Sequence, residues 1–259
     1  MTGIFWFLKR PRLYRDLGGT LRNFAMKRFV SADAKEEIDR WCEQRAVSRS
    51  EAMIKLFGKE ALEPLSERFK DIFEKAEDIA QRCPVRMGQA GNLELLYETA
   101  EHLQAERVIE TGVAYGWSSL AILLSLKNRG DSQLISTDMP YIDRASIGHV
   151  GCVVPEELRG QWRIIHYPDR LALPEALGEL PILDMCHYDS DKSVKGRRWA
   201  YSLLWAALRE GGIFISDDVS DNGAFRDFCI GIGEEPMIVR DSGSEAGKYA
   251  GILVKQSHS

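Results

Sequence analysis

Several absences narrow the reading of this 259-residue sequence. No apolar run is long enough to cross a bilayer, which excludes a spanning helix within it. No Cys-x-x-Cys pair occurs, and the five cysteines, Cys42, Cys83, Cys152, Cys186 and Cys229, are odd in number and widely spaced. That excludes a disulfide framework or a zinc cluster and points to reduced, mostly buried thiols in a cytoplasmic protein. Positive charge is not in excess: the formal net charge is -5, so nothing global invites nucleic acid or an anionic membrane. Internal repeats and low-complexity tracts are missing, as is the Gly-x-Gly-x-x-Gly turn of nicotinamide enzymes. What remains, 44% hydrophobic and 28% charged residues, describes a chain able to bury a full core.

The first third reads as helical. Asp33 with Glu36, and Ser48 with Glu51, have the spacing of capping boxes. After Pro64, apolar residues at Leu65, Phe69, Ile72, Phe73, Ala76, Ile79 and Ala80 predict one helix face, ended by Cys83-Pro84. This region holds no catalytic cluster; residues 1–85 are expected to form a helical extension that covers a substrate mouth or builds a homo-oligomer. At its start, Ile4-Phe-Trp-Phe-Leu8 precedes Lys9-Arg-Pro-Arg12. That run is too short for a secretory signal; it suits either weak contact with a membrane surface or packing on its own domain or a second subunit.

From about Arg86 the rhythm becomes alternating helix and strand. Asn92 is expected to cap a helix carrying Leu93, Leu96, Tyr97, Ala100 and Leu103 on its inner side. Strands are expected at 107–110, 133–138, 162–167, 182–189 and 213–217, with helices at 118–127 and 193–209 closed by Gly130 and Gly211. Two last strands, near 236–240 and 249–255, flank a turn-rich joint at 241–247, which implies an antiparallel hairpin. The expected fold is therefore α/β, a mostly parallel sheet covered on both faces, with residues 86–259 as one domain.

Within it, Glu110-Thr-Gly-Val-Ala-Tyr-Gly116, followed by Ser118 and Ser119, is a strand that stops, turns through two glycines and becomes an apolar helix. Gly112 and Gly116 permit the turn, and the helix amides beyond face the opening it leaves. Ligands of open α/β sheets lie beyond the carboxyl ends of the strands. Acids stand at those ends: Glu110, Asp138, Asp189 and the pair Asp217-Asp218. Asp138, one crossover after the glycine turn, has the two oxygens that a ribose diol requires.

The Glu-x-Gly-x-x-x-Gly spacing with Ser-Ser resembles the first motif of class I S-adenosylmethionine (SAM)-dependent methyltransferases. His187-Tyr-Asp-Ser-Asp-Lys-Ser193 and Glu210-Gly-Gly-Ile-Phe-Ile-Ser-Asp-Asp218 narrow the resemblance to the metal-dependent O-methyltransferases of the catechol, caffeoyl-coenzyme A and macrolide-sugar types. The resemblance covers roughly Gly88 to Lys255 and implies a Rossmann-like sheet of seven strands, the last inserted antiparallel beside the fifth. It implies that Glu110, Gly112, Tyr115, Gly116, Ser118, Asp138 and Asp169 bind SAM. It also implies that Asp189, Asp217 and Asp218 hold magnesium or another divalent cation, a hard ion suited to oxygen ligands. Lys192, or alternatively Asp191, would take the proton of the acceptor hydroxyl, on a small molecule or sugar. The expected activity is O-methyl transfer; the alternatives are metal-independent N- or O-methylation, or SAM or nucleoside binding without catalysis. The pattern departs from the family at Val194-Lys-Gly196, where an aromatic residue is usual.

Overall fold

The computed structural model describes residues 32–89, 91–139, 148–240 and 248–256. The expectations for the basic N-terminal run and the 241–247 joint lie outside the described residues.

The N-terminal third contains α1 (Ala32–Glu43), the two-residue strand β1 (Ala46–Val47), α2 (Arg49–Phe57), α3 (Leu65–Arg68) and α4 (Lys70–Arg82). Ser48 makes the expected reciprocal capping box with Glu51. Asp33 instead falls within the first turn of α1. The helix expected after Pro64 is broken at Phe69, whose backbone leaves helical geometry at φ -124 and ψ 42. Its ring packs edge-on against Tyr97, so tertiary packing overrides a local pattern that would have continued.

The remainder alternates strand and helix. In order come α5 (Leu93–Leu103), β2 (Arg107–Thr111), α6 (Trp117–Leu126), β3 (Gln133–Thr137) and β4 (Trp162–Ile165). They are followed by α7 (Asp169–Glu179), β5 (Leu183–Tyr188), α8 (Val194–Ala207), β6 (Leu208–Ser216), α9 (Ala224–Ile232), β7 (Met237–Arg240) and β8 (Tyr249–Val254). Gly211 does not close α8 as expected: β6 starts at once, and Gly211 lies inside it at φ 71.

All strands of the described residues join one eight-stranded sheet in the order β1-β7-β8-β6-β5-β2-β3-β4. The seven strands expected from sequence are present, parallel except for β8, which runs antiparallel between β6 and β7. The eighth is β1, which adds parallel to β7 and so builds the N-terminal segment into the sheet edge.

Period-two alternation in the strands divides the core. Val108, Met185, Ile213 and Ile252 face a layer formed with α2 to α6, whereas Ile109, Cys186, Phe214 and Leu253 face α1, α7, α8 and α9. Burial on both faces explains why these strands read as nearly continuous apolar runs. The chain runs outward from β2 through β3 to β4, then returns to lay β5 on the other side of β2. That reversal opens a crevice above the carboxyl ends of β2 and β5. No described helix is long and apolar enough to cross a membrane.

Candidate active site

Hydrogen bonds one step past each strand end align the acids. Gly112 N–H donates to the Thr137 carbonyl at 2.8 Å, Asp189 N–H to Thr111 at 3.0 Å, Asp217 N–H to Tyr188 at 3.0 Å and Asp138 N–H to Ile165 at 3.1 Å. Parallel register therefore delivers residues distant in sequence to one rim.

On one side of the crevice lies the glycine turn. Gly112 has φ 82, and a Cβ there would collide with the Asp189 carbonyl. Gly116, the N-cap of α6, has φ 95, and its Cβ would lie 2.8 Å from Gly151 Cα. Ser118, in the first turn of α6, is half-buried. The Tyr115 hydroxyl donates to the Val85 carbonyl at 2.9 Å, which ties the turn to the segment after α4. Glu110 is fully buried behind the turn, where one carboxylate oxygen accepts from the hydroxyls of Ser119 and Ser136. The other has no hydrogen-bond partner among the described residues and lies 3.5 Å from His187 Nδ1. Burial alone would depress the His187 pKa, but Glu110 and Asp217 raise it.

Asp138 is buried with one oxygen used and one free. Oδ1 accepts from the amides of Val113 at 2.9 Å and Ala114 at 3.4 Å; Oδ2 has no partner among the described residues. Burial pushes its pKa up to about 6 despite those amides. Asp169, the first residue of α7, accepts from Thr137 Oγ1 at 3.2 Å and Ser190 Oγ at 2.5 Å, and burial raises it to about 6 as well. Glu110, Gly112, Asp138 and Asp169 thus surround the ends of β2, β3 and β5.

The other side holds Asp189, Asp217 and Asp218, two of them engaged by one amine and the third by a side-chain amide. Lys192 Nζ bonds Asp189 Oδ1 and, at 2.9 Å, Asp218 Oδ2. Burial disfavours the ammonium, but the two carboxylates outweigh it and raise the Lys192 pKa. The same ammonium holds Asp218 below its ordinary value against the opposing effect of burial. Asp217 Oδ1 accepts from Asn92 Nδ2 at 2.6 Å, and burial together with Asp189 raises its pKa to about 6.

These positions are brought together, but they do not fit the divalent cation that the sequence resemblance implies. Among the described residues, no three His, Cys, Asp or Glu side chains converge as a metal shell. A protonated amine already bridges two of the three acids, and a dication there would meet its charge directly. Asp191 is also placed differently from an open base. Its Oδ1 accepts the Ser193 N–H at 2.9 Å, and its carboxylate packs against Gly196 at the start of α8.

Sequence reasoning missed Asn92, read as a helix cap. It occupies the cap position at φ 53, but its side chain reaches Asp217 instead. His187, beside Glu110, has both ring nitrogens buried without a hydrogen-bond partner among the described residues. Arg197 also went unnoticed; fully buried, it donates to the carbonyls of Asp217 at 3.2 Å and Asp218 at 2.9 Å.

Comparison with known proteins agrees with this geometry. Residues 109–219 match the family model described as a methyltransferase domain. A Klebsiella pneumoniae protein assigned as an O-methyltransferase superposes with a TM-score of 0.57 at 17% identity, covering 84% of this chain and 100% of that one. The O-methyltransferase TomG of Streptomyces achromogenes, solved with SAM, gives 0.54 at 17% identity over 74% of this chain and 96% of its own. A Bacillus cereus O-methyltransferase solved with SAH gives 0.52 at 13% identity over 83% and 100%. No curated protein matches the chain at a significant level. The family match lays a methyltransferase domain over residues 109–219, and the solved structures share the fold of this chain.

Proposed function

We propose that the protein transfers the methyl group of SAM to a hydroxyl of a small molecule or sugar. The observation that carries the cofactor assignment is Asp138: a buried carboxylate that grips the glycine turn with one oxygen and leaves the other unpartnered. An unsatisfied buried acceptor is costly, and a ribose hydroxyl would satisfy it. Gly112, Gly116 and Ser118 would border the methionine moiety, Tyr115 would brace the turn and Asp169 would stand on the adenine side. Glu110, enclosed behind the turn, would act on the cofactor by fixing that backbone.

Methyl transfer is an in-line displacement: the acceptor oxygen attacks the sulfonium methyl, the carbon–sulfur bond breaks, and the hydroxyl proton is lost. Such a reaction depends chiefly on alignment. The groups facing the cofactor rim are Asp189, Lys192, Asp217 and Asp218. An ammonium has three donors, and Lys192 commits two to carboxylates, leaving one for the acceptor oxygen. In this reading Lys192 stabilises the oxygen as it loses its proton and does not receive that proton.

The O-methyltransferases that this fold resembles suggest a hydroxyl acceptor. The segment between α4 and α5 touches both halves of the crevice, through Val85 to Tyr115 and through Asn92 to Asp217. We assign residues 1–85 to an extension that sets this covering segment over residues 86–259, with self-association of its helices as a further role.

Two measurements test the proposal. Calorimetry with SAM should show one saturable site, abolished in Gly112→Val. Incubation with methyl-labelled SAM and a panel of phenols, catechols and sugars should yield an O-methyl product; absence of SAM binding would end the proposal.

A further inference from the structure

We infer that the Lys192 ammonium is the resident cation of this site, standing where related enzymes are expected to place a divalent metal. The inference deepens the methyltransferase reading, but its first evidence is electrostatic and independent of turnover. Asp189 and Asp218 both direct an oxygen to Nζ of one ammonium. The lysine is held there by its backbone as well as its head. Asn222 Nδ2 donates to the Lys192 carbonyl at 2.8 Å, and the preceding residue is fixed twice, by Tyr188 donating to the Asp191 carbonyl at 2.9 Å and by the Asp191 turn to Ser193.

The carboxylates are equally constrained. Asp218 takes a left-handed backbone, φ 50 and ψ 41, a conformation that Asp tolerates better than most residues. Arg197 donates to the successive carbonyls of Asp217 and Asp218 and so clamps this turn of the backbone. The third acid, Asp217, is engaged by Asn92 instead of the lysine. A dication sharing Asp189 and Asp218 would have to expel an ammonium whose loop is pinned at both flanks. The lysine already neutralises one charge of the acidic cluster and presents a donor to the crevice, two tasks that a metal would otherwise perform.

It follows that removing the amine should create the metal site that it prevents. Manganese(II) binding can be followed by electron paramagnetic resonance on the full chain. Wild type and Lys192→Arg should bind the ion no better than a protein surface does. Lys192→Met, which keeps the stem and loses the charge, should bind it on the order of 100-fold more tightly. Asp189→Asn in the Lys192→Met background should abolish the gain. Stoichiometric manganese binding by wild type would overturn the inference, as would a folded Lys192→Met that gains no affinity. If Lys192→Met does not fold, the wild-type titration alone decides, together with SAM-dependent methylation in EDTA, which should persist. Failure of SAM to bind would refute the methyltransferase reading while leaving the manganese result interpretable.

Discussion

The side-chain amide of Asn92 donates to Asp217 Oδ1 at 2.6 Å, joining the entrance of α5 to the end of β6 across 125 residues of sequence. A hydrogen bond to a carboxylate contributes about 1.5–3 kcal/mol. Because Asn92 ends the segment that also reaches Tyr115 through Val85, this bond holds the cover of the crevice. Asn92→Ala should therefore raise amide exchange in residues 84–92 by about 10- to 100-fold, since each 1.4 kcal/mol is one factor of ten. SAM affinity should stay within a small factor of wild type. Unchanged exchange in that segment would show that the contact secures nothing. Asn92→Asp should be worse than Asn92→Ala, because it sets a second carboxylate against Asp217.

Cofactor affinity should depend on the protonation of Asp138. Its carboxyl is raised to about 6 by burial, in the company of Glu110 and Asp169. Ribose hydroxyls donate to the charged form, so SAM favours the ionised state and its affinity should rise as pH increases through about 6, then level off. For the free protein the sign is opposite. A raised acid costs stability as pH climbs from the unfolded value of about 3.9 to the folded one, and SAM should recover that loss. Calorimetry between pH 5 and pH 8 would measure this. Asp138→Asn should bind more weakly and flatten the profile; a retained slope would assign the titration to Asp169 or another group.

How far the fold was readable follows from which interactions are local. The glycine turn, the Ser48 box and the strand-end acids announce themselves because each rests on neighbouring residues or on strand periodicity. The seven principal strands were legible for the same reason. β1 was not, because Ala46–Val47 becomes a strand only by pairing with β7. Asn92 looks like an ordinary cap, and nothing nearby in sequence signals Asp217. Lys192 was recognised, but its partner Asp218 lies beyond a helix and a strand, so its role as a bridge needed the assembled sheet.

Gly112 should be irreplaceable on two independent grounds. Its φ of 82 disfavours any L side chain, and an added Cβ would strike the backbone carbonyl of Asp189, which cannot turn aside. Gly112→Ala should cost on the order of 1–3 kcal/mol from backbone strain alone, with the collision added to it. The turn would relax by separating β2 from β5, so SAM binding should be lost even where the sheet survives. Thermal melting and calorimetry on the same sample would separate the effects. Normal SAM affinity in Gly112→Ala would show that the turn does not have to approach Asp189 this closely.

The opposite end of the sheet yields the acid-stability prediction. Asp184, near the start of β5 and buried, accepts from the backbone amides of Glu106 and Arg107 at 3.0 and 2.8 Å. It also accepts from Arg107 Nη2 at 3.0 Å and Arg209 Nε at 2.6 Å, so a single carboxylate fastens β2, β5 and β6. Burial would raise its pKa, but the two guanidinium groups and two amides together hold it well below the usual carboxylate range. A depressed acid contributes stability that is complete above the unfolded value of about 3.9 and is lost as pH falls toward the folded one. Asp184→Asn keeps the shape and removes the charge, at an expected cost on the order of 2–4 kcal/mol at neutral pH, moderated because both arginines are partly exposed. The gap in melting temperature between wild type and Asp184→Asn should be widest near pH 7 and narrow steadily below pH 4. Since this carboxylate lies away from the crevice, SAM affinity at neutral pH and moderate temperature should be preserved. A gap that does not change with pH would mean that shape, not charge, is what Asp184 supplies.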